Sequence, residues 1–252
     1  MNRRRRVGKR SASGVRHAGG KYNPGAGKTR GMLILAVDTT SERESVAVVE
    51  SGVVQGELRL RAADFHSRRL LPGVAFLLES AGVKPGALES YAVTCGPGSF
   101  TGLRVGISTV QGMALAARRP CLGLSALDVL AARIEGTAPV LAVMTEAFHG
   151  EVFGAVYDEK ARPLAPAAGE SPESFLARVP PGPAAFFGQG AVRYHDLVVA
   201  RRPDAVFPRR SLFIAGTLGL MAEPRLAAGE GVSPEALRPL YLREAQIRKP
   251  GP

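Results

Sequence analysis

Two places in this 252-residue chain put side chains or glycines where phosphate chemistry would need them. Asp38 ends the apolar run Leu33-Ile34-Leu35-Ala36-Val37 and is followed by Thr39-Thr40-Ser41. A carboxylate at the carboxyl edge of a sheet faces the usual ligand crevice and would hold a metal-bound phosphate, whereas the same residues equally cap a turn. Gly96, Gly98 and Ser99 belong to the loop 96–102, between a strand pattern and a helix pattern. Backbone N–H groups there would cradle an anion, or the glycines serve only the turn and close packing. Together the two places would suit an ATP-dependent small-molecule kinase.

Other chemistries find little support. The four histidines, His17, His66, His149 and His195, form no HExxH or HxxxH pair, so no metal site is expected. No Gly-x-Ser-x-Gly elbow exists, and Ser99 has no histidine near it in sequence. Glu146 and Glu151 flank a turn between strands, where carboxylates are usually solvated. Cys95 and Cys121 are the only cysteines, lie far apart and make no CxxC, which leaves them as reduced packing residues of a cytoplasmic protein. No apolar run approaches the roughly 18 residues needed to span a bilayer.

Charge is distributed unevenly. Residues 1–31 hold ten of the 33 basic side chains and none of the 22 acidic ones, so residues 32–252 carry 23 against 22. A near-neutral body withdraws the suggestion of a dedicated nucleic-acid binder that the overall charge of +11 would make. The first 31 residues, with seven Gly and no Leu, Ile or Phe, read as a disordered basic tail. Gly25-Ala26-Gly27-Lys28-Thr29 resembles the end of a P-loop, but Tyr22 stands where its first Gly belongs, with no strand before it. Met32 directly precedes the first strand pattern, so the tail reads as lying upstream of the natural start. An RNA-attracting arm and an organellar presequence are the alternatives.

The elements that must position these residues follow from periodicity. Residues 33–37, 45–50 and 53–60 read as strands, the last two joined by a Ser51-Gly52 hairpin turn. Leu70, Leu71, Val74, Leu77, Leu78 and Ala81 define one face of a helix over 67–81 that Gly82 ends. A strand over 91–95 leads through the glycine loop into a helix reaching about residue 118. Its stripe Leu103, Ile107, Val110, Ala114 and Ala117 faces the core. Beside that stripe lie Gly102, Gly106, Thr109 and Met113. Gly106 and Gly112 inside the helix give up about 2 kcal/mol of local stability relative to alanine, so a close approach by a neighbouring helix or by a helix of a partner chain is expected to compensate. A strand over 121–124, a helix over 125–134 capped by Ser125, strands over 140–144 and 152–157, a helix over 172–179, a strand over 184–187 and a helix over 212–222 complete the pattern. Hairpin, helix, strand and helix, then a partial restart of that order, imply an α/β fold with two similar lobes, residues 32–135 and a smaller, degenerate 136–252.

The segments LILAVDTTS (33–41), HSRRLLP (66–72), GPGSFTGLRVG (96–106), GQGA (188–191) and PLYLR (239–243) resemble those of the TsaB (YeaZ) family, over about residues 32–247. The resemblance implies the actin-like ATPase-domain (ASKHA) fold, built from two ribonuclease-H-like lobes. It also implies a non-catalytic scaffold in tRNA threonylcarbamoyladenosine modification, pairing with a TsaD-type threonylcarbamoyltransferase and a TsaE-type ATPase. A homodimer when alone and contact with tRNA through the complex are implied too, with no catalytic residue or cofactor of its own and ATP or ADP at the complex interface left open. TsaD-like subunits hold metal with an HxxxH pair after the strand matching 121–124, where this chain has Ser125-Ala126-Leu127-Asp128-Val129. The helices 67–81 and 100–118 would supply the pairing surface, through Leu70, Leu71, Val74, Gly102, Val105, Gly106 and Thr109. Phe148 departs from the Asp-Ala-Arg opening that many relatives have in the 146–151 segment.

Overall fold

A computed structural model describes residues 31–61, 66–147 and 150–242. The tail, its P-loop-like segment, Phe148, His149 and Arg243 therefore lie outside the described residues. Ten strands form two five-stranded sheets. The first holds β1 (Ile34–Asp38), β2 (Arg43–Glu50), β3 (Val53–Arg61), β4 (Ser90–Gly96) and β5 (Cys121–Ser125) in the order β3-β2-β1-β4-β5. The second holds β6 (Val140–Glu146), β7 (Val152–Asp158), β8 (Ala168–Glu170), β9 (Ala184–Phe187) and β10 (Ala205–Val206), in the order β8-β7-β6-β9-β10 when read the same way. In each sheet the first strand pairs antiparallel with the second and parallel with the fourth. The second sheet is a restatement of the first.

Five layers result. On the outer face of the first sheet, α1 (His66–Ser80) and α2 (Phe100–Ala117) close a core that includes Leu35, Val37, Leu70, Val74, Ile107 and Val110. Between the sheets lie α3 (Ala126–Arg133) and α7 (Ala215–Ala227), whose Leu130 and Leu218 share one apolar cluster with inner residues of both sheets such as Ala36, Ala92, Val143 and Ala155. Outside the second sheet sit α4 (Pro172–Arg178), α5 (Gln189–Arg193) and α6 (His195–Arg201), around Phe175, Phe186 and Val198.

Local chemistry sets the turns as expected. Ser51 and Gly52 both have positive φ, 55° and 71°, which a tight hairpin of this twist requires. Gly82 ends α1 at φ 66°. The side chain of Ser99 caps α2 by accepting from the Gly102 N–H at 3.2 Å, and that of Ser125 caps α3 by accepting from the Asp128 N–H at 3.5 Å.

The strands of the first sheet all precede residue 136 and those of the second all follow it, whereas the C-terminal helix α7 returns to the first sheet. α7 packs against all five strands of the first sheet, and its opening N–H groups are satisfied by that sheet: Ala215 donates to Ser45 Oγ at 3.2 Å and Gly216 to Glu57 Oε1 at 3.2 Å. The helix has no cap of its own, so the orphan donors that every helix start leaves must find partners elsewhere. It also starts three residues later than its pattern suggested and continues through Pro224 to Ala227. Beyond α7, a strap over 232–242 stays with the first sheet. Cys121 and Val232 exchange backbone bonds, Gln111 Nε2 donates to the carbonyls of Pro234 and Leu237, and the Leu240 N–H reaches the Cys95 carbonyl at 2.7 Å.

Candidate functional site

The turn after β1 is built around Asp38, which is 1% exposed. Its Oδ1 accepts from Thr94 Oγ1 at 2.6 Å, from Thr40 Oγ1 at 2.8 Å and from the Thr40 N–H at 3.2 Å. The turn-capping role is thus the one realised within the described residues. The loop 96–102 closes onto the same turn. A Cβ on Gly98 would collide with the Thr40 carbonyl, and one on Gly96 with the Leu240 carbonyl, while Ser99 spends its N–H on Thr40 O at 2.7 Å. Close backbone approach therefore accounts for both glycines, and two N–H groups of the loop, those of Ser99 and Gly102, are already engaged.

The small-residue stripe on α2 receives its compensation from an unexpected source. Thr39, fully buried, donates through Oγ1 to the Gly102 carbonyl at 2.7 Å, and a Cβ on either Gly102 or Gly106 would strike Thr39 itself. The atoms those methyls would meet belong to Thr39, in the turn after β1, and not to a neighbouring helix. Gly102 and Gly106, and with them Leu70 (1% exposed) and Val74 (4%), are buried within their own subunit. Leu71 is exposed, and Val105 and Thr109 are half-buried. Gly112 behaves differently from its neighbours, because it is exposed and a Cβ there would touch nothing.

What the periodicity missed is the outer side of the two helices. Phe76 (61% exposed), Leu71 (54%) and Leu115 (56%) form, with Gly112 and Ala116, an outward set of apolar or small residues. The signal was available: Phe76 lies off the core stripe of α1, where a globular helix ordinarily carries polar side chains.

A cleft of about 670 Å³ runs between the sheets, lined by Asp38, Glu42, Arg43, Arg61, Thr145 and Glu146, among others. Pro97, Gly98 and Ser99 also face it. In the second sheet Glu146 is ion-paired to Arg193 at 3.3 Å, and Thr145 Oγ1 is buried with no hydrogen-bond partner. At the lip of the cleft, Glu42 bridges Arg43 at 3.0 Å and Arg61 at 3.1 Å. Arg133 bonds the Ser211 carbonyl at 2.6 Å and Thr217 Oγ1 at 2.8 Å. Burial lowers the Arg133 pKa, Glu57 opposes the change, and Arg59 and Arg210 nearby add to it.

Burial also shifts titratable groups away from the cleft. Burial pushes the Cys95 thiol up to about 12, with Cys121 adding to it, and burial also raises Cys121. The Tyr157 hydroxyl is raised by burial and by the Asp128 carboxylate to which it donates at 2.8 Å. Asp128 thus accepts the hydrogen bond of a buried tyrosine. Among the described residues no cluster of three or more His, Cys, Asp or Glu is placed to hold a metal, and no helix is long and apolar enough to cross a membrane.

A family model described as TsaD, tRNA N6-adenosine threonylcarbamoyltransferase, matches residues 49–193. The tRNA threonylcarbamoyladenosine biosynthesis protein TsaB of Escherichia coli is 40% identical over 129 residues, 50% of this chain and 55% of that protein. The chain thus aligns with about half the length of that relative. An uncharacterized protein of Mycobacterium tuberculosis is 32% identical over 217 residues, 85% of this chain and 93% of its own length. The solved structure of YeaZ from Pseudomonas aeruginosa is 33% identical with a TM-score of 0.70, covering 84% of this chain and 100% of that one. With a TsaD-like domain over more than half its length and YeaZ matched from end to end, the chain belongs to the TsaB (YeaZ) family.

Proposed function

We propose that the chain is a non-catalytic scaffold for tRNA N6-threonylcarbamoyladenosine formation, pairing with a TsaD-type threonylcarbamoyltransferase, with a TsaE-type ATPase joining them in the cytoplasm. Alone it pairs with a second copy through the same face. The observation that carries this reading is the outer face of α1 and α2, where Leu71, Phe76 and Leu115 stand exposed beside Gly112. Exposed apolar clusters of this kind on a soluble domain mark association surfaces, and a helix glycine that meets nothing in its own subunit leaves room for another backbone. Val105 and Thr109, half-buried on the same helix, complete the surface, and Leu70, Val74, Gly102 and Gly106 support it from beneath. The duplicated strand order supports the finer fold assignment, two ribonuclease-H-like lobes of an actin-like ATPase domain.

The test is reconstitution of threonylcarbamoyladenosine formation with the TsaD-type and TsaE-type subunits, ATP and tRNA, with and without this chain. The scaffold reading expects product only when the chain is present, and expects Leu71→Asp combined with Phe76→Asp to abolish both co-purification and product. Full product without the chain would overturn it.

The kinase reading keeps one observation in its favour, the size of the cleft beside Asp38. Against it, Asp38 Oδ1 accepts three hydrogen bonds from its own turn and from Thr94. Calorimetry with ATP and magnesium decides: tight binding lost in Asp38→Asn, with the fold retained, would favour the kinase. ATP or ADP in the scaffold reading belongs to the interface with the partner.

A further inference from the structure

The first sheet places arginines directly opposite one another at the lip of the cleft. Arg43 on β2 is the register partner of Arg61 on β3, and Ser45 is that of Arg59, so all three guanidinium groups rise on the face turned toward the cleft. Like charges set directly across a strand pair repel, and a sheet keeps such a pair at a cost unless an anion offsets it. Glu42 bridges both members, and Glu57 holds Arg59. Arg133 lies within electrostatic range of Arg59 and of Arg210, which belongs to the segment before α7. Arg43, Arg59 and Arg61 thus share two carboxylates, Glu42 and Glu57, in a body whose charge is otherwise almost balanced. Arg61 and Arg210 are exposed, and Arg209 and Arg210 pair with no carboxylate among the described residues. Arg59 and Arg61, two residues apart on one strand, stand about 7 Å from each other, close to the step between successive phosphates of a nucleic-acid strand.

We infer that this lip, formed by Arg43, Arg59, Arg61 and Arg210, is an RNA-backbone contact that receives consecutive phosphates. The choice of RNA over another polyanion rests on the function proposed above. The lip suits an extended chain of phosphates better than a small polyanion inside the cleft, whose lining includes the carboxylates of Asp38 and Glu146. Phosphate contacts of this kind position a nucleic acid without reading its sequence.

The test compares tRNA binding by the full-length chain and by the triple variant Arg59→Gln, Arg61→Gln, Arg210→Gln across a salt series, using a full-length tRNA transcript. A charge-matched control, Arg118→Gln, Arg119→Gln, Arg201→Gln, removes three exposed arginines elsewhere, and the basic N-terminal tail is kept in every chain. The lip predicts an affinity loss on the order of tenfold or more near 0.1 M salt and a salt slope flatter by about 2 to 3, against a smaller change in the control. Equal losses in both variants, no loss in the triple variant, or no measurable tRNA binding by the parent chain overturns it. Loss of ATP–magnesium binding in calorimetry with tRNA affinity intact also overturns it, in favour of a small polyanion. The docking variants Leu71→Asp and Phe76→Asp separate this result from the scaffold reading. If they leave product formation intact while the arginine variant loses tRNA, the scaffold reading falls and the lip stands. If they abolish product while the arginine variant binds tRNA normally, the lip falls alone.

Discussion

The two sheets share a strand order and directions, yet they differ where the first strand hands over to the second and in what covers them outside. In the first sheet that handover is sealed: Asp38 is buried and gathers Thr40 and Thr94, while Thr39 fills the space left by two helix glycines. In the second, Glu146 stands half-exposed in an ion pair and the hydroxyl of Thr145 is buried without a partner. The outer cover of the first sheet consists of helices of 15 and 18 residues with apolar side chains turned outward, that of the second of helices of 7, 5 and 7 residues. The same strand order thus carries one outer face with exposed apolar side chains and another covered by short helices.

The largest expected effect strikes the first of these faces. Leu71→Asp with Phe76→Asp should weaken pairing by at least about a hundredfold, with the melting temperature of the chain nearly unchanged because both side chains are exposed. Sedimentation of the chain alone and with the TsaD-type subunit measures it, and unchanged association would move the interface away from α1 and α2. Next comes the sealed turn. Asp38→Ala leaves buried Thr40 and Thr94 hydroxyls without their acceptor, at a cost of about 2–3 kcal/mol, read by chemical denaturation. A loss within error would mean that the two turns differ less than their geometry states.

These two contrasts also show how much was legible in the residues. Core stripes, caps and turns were readable because each is a local periodicity or a local hydrogen bond: Leu103, Ile107, Val110 and Ala114 are buried as their spacing demands, and Ser99 and Ser125 cap as their positions demand. Contacts at a distance were not. That Thr39 occupies the notch at Gly102 and Gly106 depends on a partner 63 positions upstream of Gly102, and no helical period reports it. Leu70 and Leu71 illustrate the same limit at shorter range, since adjacent positions on a helix differ by about 100° and only packing decides which one is covered. The return of α7 to the first sheet was equally hidden, because its anchors, Ser45 and Glu57, lie 170 and 159 residues away in sequence.

Ionisation gives a contrast of intermediate size. The first sheet holds the Cys95 thiol, pushed up to about 12, and the second the raised Tyr157 hydroxyl. Each group binds its proton more tightly folded than unfolded, so stability is full below the unfolded pKa and falls as pH rises toward the folded one. Between roughly pH 9 and 10 the thiols dominate, each costing up to about 1.4 kcal/mol per pH unit. Cys95→Ala should flatten the decline of stability over that window, and an unchanged slope would remove Cys95 from the account.

Two smaller effects test individual notches. Gly112→Ala should stabilise the lone chain by about 1 kcal/mol and weaken pairing, whereas Gly106→Ala should destabilise it because the new methyl meets Thr39; equal signs would erase the distinction between them. Smallest is Thr145→Val, which trades an unpartnered buried hydroxyl for a methyl and should gain up to about 1 kcal/mol in thermal unfolding. A loss there would show that the hydroxyl is held by something after all.

The strap that carries Leu237 and Leu240 back to α2 and Gly96 has a consequence for how the molecule is made. Strands β6 to β10 and their outer helices form one uninterrupted stretch of chain and can assemble as they leave the ribosome. The opening strands must wait, since their inner face is covered by α7 and their outer helix α2 is clasped by residues 234–237, more than a hundred positions later in the chain. A nascent chain cut short before residue 215 would expose the inner side of the first sheet, whose cover α7 has not yet been synthesised.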